Sequence, residues 1–114
     1  MNLIPPNIRE QLLANGRQAR RSIDHDLFPL VKLFTPDASA TWLLTELDPD
    51  DPDIAFGLCD LGLGCPEYGT VSIAELAKLR GPLGLTVERD IHFVAAKSLA
   101  EYAAEAIDAG FIRA

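Results

Sequence analysis

Between Phe28 and Val71 the chain is cut into short apolar runs with no room for crossovers between them. The runs cover 28–34, 41–47, 54–61 and 68–71, and the breaks at 35–40, 48–53 and 62–67 are punctuated by Pro, Gly and Asp. Parallel neighbours need a crossover of about a dozen residues or more, so runs this close together favour antiparallel pairing. In the first run Leu30, Lys32 and Phe34 fall on one side and Val31 and Leu33 on the other. Pro29 confines that run to a sheet edge or a strand start. In the second, Trp42 shares a face with Leu44 and Glu46; in the third, Ile54, Phe56 and Leu58 alternate against Ala55, Gly57 and Cys59. The break Asp48-Pro-Asp-Asp-Pro-Asp53 reads as a rigid acidic turn, and Gly62 and Gly64 as turn positions with positive φ.

Helical signals flank this meander. Pro5 and Pro6 suit a first helical turn, Ile8, Leu12 and Leu13 recur at helical spacing, and Asn15-Gly16 reads as a stop. Residues 18–26 are polar and read as a connection. Ser72-Ile-Ala-Glu75 and Ser98-Leu-Ala-Glu101 are two capping-box patterns. They open predicted helices over 73–80 and from 98 to 108, ended by Gly81-Pro82 and Gly110. A fifth strand is predicted over 85–94. The expected architecture is one α+β domain spanning 1–114, with a largely antiparallel sheet of about five strands and helices on one face.

Composition sets outer limits. At 48% apolar and 24% charged, 114 residues suffice for one globular core. No apolar run approaches the roughly eighteen residues of a membrane-spanning helix, so no membrane partner is expected. Residues 1–16 hold Pro5, Pro6, Arg9 and Glu10 in place of a continuous apolar segment, which reads against a signal peptide. The net charge of -7 is uneven, with nine acids and no Lys or Arg between Leu33 and Ala77. Such a balance argues against direct nucleic-acid binding, which rests on Lys and Arg at phosphates. The small basic cluster Arg17, Arg20 and Arg21 reads as solvated surface. Cys59 and Cys65 are too few for a disulfide scaffold and lack zinc-site partners, so they read as reduced thiols in a cytoplasmic protein.

No spacing specifies a reaction. The acids from Asp48 to Asp53 fail the calcium-loop pattern, which requires a glycine at position six and a glutamate at position twelve; Asp53 and Cys59 stand there. Gly62-Leu-Gly64 lacks the sequel of a phosphate loop. His25 lies in a polar connection, and pairing of His92 with either thiol rests on topology alone. No catalytic residue, cofactor or metal is therefore assigned. On a continuous strand Glu88, Asp90 and His92 would share one face and Val87, Arg89, Ile91 and Phe93 the other. Arg89 would then sit in a core-facing row, where it needs a polar partner or a place at the sheet's end. Trp42 reads either as core or as a contact surface.

Taken together, Lys32-Leu-Phe-Thr-Pro-Asp37, Thr41-Trp42, Phe56-Gly57, Glu67-Tyr-Gly69, Ser72-x-x-Glu75-Leu76, Arg80-Gly-Pro-Leu-Gly-Leu85 and Glu88-Arg-Asp90-x-x-Phe93 form an ordered set. By this set the chain resembles the DUF2958 family of small bacterial proteins, over roughly residues 1–94. Members of that family occur often on plasmids, phages and other mobile elements and have no assigned activity. The resemblance implies a cytoplasmic accessory protein and nothing catalytic. Cys59 and Cys65 depart from the family pattern.

Three functional readings follow. The leading one is a non-enzymatic interaction module, its carboxylates gathered on one wet side of the sheet to meet a protein partner with a basic surface. Trp42, Asp37 and Glu67 would contribute to that surface. The alternative is a small-ligand binder or enzyme in which Arg80, Glu88, Arg89, Asp90 and His92 converge on one pocket. The third is a homodimer paired through the 28–34 strand as a sheet edge.

Overall fold

The computed structural model describes residues 3–19 and 26–114. Helix α1 (Pro6–Ala19) is followed by β1 (Val31–Phe34), β2 (Thr41–Asp48), β3 (Asp51–Asp60) and β4 (Glu67–Ser72). Helix α2 (Ile73–Lys78), the two-residue strand β5 (Glu88–Arg89) and helix α3 (Leu99–Ala109) complete the chain. The strands form one antiparallel sheet in the order β4-β3-β2-β1-β5. The α+β class and the antiparallel meander are therefore as the spacing of the runs predicts.

The helices do not share one face. Leu12 of α1 and Leu76 of α2 pack with Val31, Leu33, Trp42, Leu44, Leu47 and Ala55 on one side of the sheet. Leu99, Tyr102, Ala103 and Ala106 of α3 pack with Leu43 and Leu58 on the other. The alternation Trp42, Leu43, Leu44 serves both sides: all three are buried, so β2 is apolar on both faces. Each fully buried Leu side chain contributes about 2 kcal/mol by removal from water.

Four local expectations change. The first concerns α1, which continues through Asn15-Gly16 to Ala19. Gly16 is not a stop but a point of close approach: a Cβ there would lie 1.9 Å from the Leu47 carbonyl oxygen. Beside it the Asn15 side-chain amide donates to the Thr45 carbonyl at 2.9 Å. That carbonyl belongs to the extra residue of a bulge, since Leu44 pairs with Gly57 but Glu46 already pairs with Phe56. The bulge is the second change. It turns Glu46 to the face opposite Trp42 and Leu44, and returns Leu47 to theirs.

Third, the acidic turn shrinks to Asp48–Asp51, because β3 begins at Asp51 and runs through Pro52 and Asp53. Asp53 is a cap instead. Its carboxylate accepts from the Ser72 hydroxyl and from the Ala74 N–H (2.8 Å), while the Ser72 hydroxyl accepts from the Glu75 N–H at 3.2 Å. Helix α2 stops at Lys78, with Leu79 extended beyond it.

Fourth, the 85–94 strand keeps only Glu88 and Arg89, and β1 starts at Val31 as an inner strand flanked by β2 and β5. The Asp90 N–H still bonds the Lys32 carbonyl (2.9 Å), but its side chain then accepts the His92 N–H (3.0 Å) and its carbonyl the Phe93 N–H (3.2 Å). This turn carries the chain around the margin of the sheet. Val87 is buried on the α1 side, whereas Phe93 packs on the α3 side, 6.3 Å from Tyr102 between ring centres. The second capping box forms as expected at Ser98 and Glu101, and Gly110 ends α3 at φ 85°.

Candidate functional site

The pocket imagined around residues 80–92 does not assemble. Arg80 turns its guanidinium back onto the Ala77 and Leu79 carbonyls. Glu88 and Arg89 are adjacent on β5 and so point to opposite faces, with Arg89 half-buried across from Leu33. Asp90 faces Lys32 at 3.7 Å and holds its own turn. His92 is exposed. Between these five the Asp90 carboxylate accepts only the His92 backbone N–H, a local turn contact that gathers no second side chain. Three cavities of about 270, 430 and 370 Å³ are lined by other residues.

Trp42 is 2% exposed and belongs to the core. Asp37 is committed to the chain's own backbone: one carboxylate oxygen accepts the N–H groups of Leu83 (2.7 Å) and Leu85 (3.3 Å). Gly81 lets it in, since a Cβ at that position would lie 1.7 Å from the other oxygen. Two separated stretches, Thr-Pro-Asp and Gly-Pro-Leu-Gly-Leu, are thus halves of one lock at the β5 side of the sheet. Of the 28–34 run only Val31–Phe34 form a strand, an inner one between β2 and β5, with β5 paired to Leu33 and Phe34. His25, Arg20 and Arg21 lie outside the described residues.

The middle-third carboxylates divide between backbone acceptors and exposed positions. Asp60 is 2% exposed; it accepts the Gly62 N–H at 2.8 Å and the Ile112 N–H at 2.9 Å, pinning the chain after α3 to the end of β3. Asp53 caps α2, and hydrogen bonds from Ser72 and then from the Ala74 backbone hold its carboxyl below the ordinary value. Asp48 accepts the Asp50 N–H at 2.9 Å. Glu67 and Glu75 stand exposed, on β4 and α2 respectively. The Cys59 thiol is pushed up, first by burial and then by the Glu67 charge, so it is a poor nucleophile, while Cys65 is exposed. Among the described residues no group of three His, Cys, Asp or Glu side chains is gathered to hold a metal, and no helix is long and apolar enough to cross a membrane.

What remains is the outer margin at β4. This strand ends the sheet, pairs only with β3 among the described residues, and keeps six residues of regular register from Glu67 to Ser72. Its side chains are exposed or half-buried on both faces. Phe56 and Tyr68 stack on one face with ring centres 6.0 Å apart. A cavity of about 370 Å³ lies between β4 and α2, lined by Ile54, Thr70, Val71, Ser72, Glu75, Leu76 and Leu79. Thr70 and Ser72 belong to one face of β4 and Val71 to the other, so the cavity opens around the strand's edge. Sequence reasoning placed no site residue here except Glu67. The available signal was topological: the last run of a meander, followed at once by a helix, is the strand left without a second neighbour.

Comparison with curated proteins and with solved structures gives no significant match. The profile of the family described as "Protein of unknown function (DUF2958)" matches residues 3–113, nearly the whole chain, and the chain belongs to that family.

Proposed function

We propose that the chain is a non-enzymatic interaction module that presents an acidic margin to a protein partner with a basic surface. The observation that supports this most is the bare β4 edge. An exposed strand edge is a ready template for pairing with another chain, and folded proteins ordinarily shorten, charge or cover such edges. Here it is six residues long and regular. Glu67 stands on it and Glu75 beside it, within a stretch of sequence that has no Lys or Arg from Leu33 to Ala77. A lysine- or arginine-bearing surface would be drawn to Glu67 and Glu75, with Lys78 at the end of α2 limiting where its charge can lie. A cytoplasmic accessory role on a bacterial mobile element accords with the family resemblance.

Affinity capture on the immobilised chain at roughly 0.05 M and roughly 0.5 M salt tests the reading, because exposed charge attraction is largely screened at the higher concentration. A basic protein retained at low salt and released at high salt is the expected result. A partner retained equally at both, or none at either, removes the acidic-margin reading.

A further inference from the structure

Resting on that reading, we propose that the partner contributes an extended segment that adds to the sheet along β4, placing an apolar side chain in the cavity beneath α2 and a lysine or arginine beside Glu75. Three features converge on this occupant. The backbone groups along the outer side of β4 have no strand partner among the described residues, so an extended segment gains a ladder of main-chain bonds there. The cavity of about 370 Å³ begins where that segment would lie, and Ile54, Val71, Leu76 and Leu79 give it an apolar lining suited to one Val, Ile or Leu side chain. Leu79 is 42% exposed at its mouth, apolar surface that a bound side chain would cover. Glu75 is the sole charged residue of the lining, which selects a cation in the segment. A helix would satisfy none of the edge groups, since its own backbone is already bonded internally. Asp53 does not compete for the cation, because its oxygens are engaged by Ser72 and Ala74. Lys78 follows at the end of α2, outside the cavity lining, and would disfavour a segment carrying its positive charge past Leu79.

The full chain would be panned against a displayed library of random decapeptides, and a selected peptide titrated into the labelled chain by NMR and fluorescence anisotropy. The expected peptides carry a Lys or Arg within a few residues of Val, Ile or Leu. Backbone amide shifts should concentrate on residues 67–79. Leu79→Asp should weaken binding at least tenfold and Glu75→Gln severalfold, and both variants should keep the wild-type circular dichroism, because both residues are exposed. No enrichment, amide shifts centred elsewhere, or affinity indifferent to both substitutions would overturn the proposal. The two readings fail separately: a basic partner captured equally by wild type and by Leu79→Asp defeats strand addition alone, whereas the salt series above judges the acidic-margin reading without reference to Leu79.

Discussion

The two margins of the sheet are built in opposite ways. At the β5 side only two residue pairs form, Leu33 with Arg89 and Phe34 with Glu88, before Asp90 turns the chain away. The loop after α2 is closed on itself by a bridge between Arg80 and Thr86 and is held on the Asp37 carboxylate. At the β4 side six regular residues have no strand partner on their outer edge among the described residues. A protein that only needed to avoid edge-to-edge association would blunt both margins. The strand-addition proposal rests on one margin being treated and the other spared.

Four substitutions break or sharpen this contrast. The largest effect is expected from an interior reference, Asp60→Ala. It strips the acceptor from two backbone N–H groups at a buried site and should cost about 3 kcal/mol in urea unfolding. Next comes Gly81→Ala at the blunted margin. The added methyl displaces the Asp37 carboxylate and frees the loop, an expected loss of about 2 kcal/mol. Peptide affinity at β4 should stay at its wild-type value, and a parallel loss of binding would show that the margins are not independent.

Asp53→Asn follows, at the open margin. The native carboxyl is held below its ordinary value, so its contribution is complete above the unfolded-state value and is lost as pH falls through the lower folded value. The stability difference between wild type and variant should therefore be constant from about pH 7 to about pH 4.5 and shrink below about pH 4. A difference that grows on acidification would contradict the capping role. The smallest effect on stability is expected from Leu79→Asp, within about 0.5 kcal/mol of wild type, because the side chain is already largely in water. It is the complement of Gly81→Ala: one substitution costs stability without binding, the other binding without stability.

Much of the fold was legible beforehand, although the contrast between its margins was not, and the exceptions have physical causes. The meander, its strand partners and the capped third helix follow from local spacing and chemistry. The expected helix stop at Asn15-Gly16 failed because glycine serves equally for a left-handed turn and for close backbone approach, and only the position of Leu47 decides between them. The fifth strand failed because alternation continues through Ile91 and Phe93, while Asp90 can bond its own backbone and end the pairing. Ile91 is consequently 69% exposed. Which carboxylates face water was not legible, because a carboxylate reads identically in sequence whether it is exposed or, like Asp37 and Asp60, binds distant N–H groups.

The sequence by itself determined an antiparallel α+β chain, its apolar strands and its excess of acid, since these rest on residue periodicity and on charges that no folding changes. Tertiary structure alone decided which helix covers which face, which carboxylates are consumed by the backbone, and which strand is left with a free edge. Those outcomes depend on contacts between residues far apart in the chain, 46 positions for Asp37 with Leu83 and 52 for Asp60 with Ile112. No local pattern encodes them.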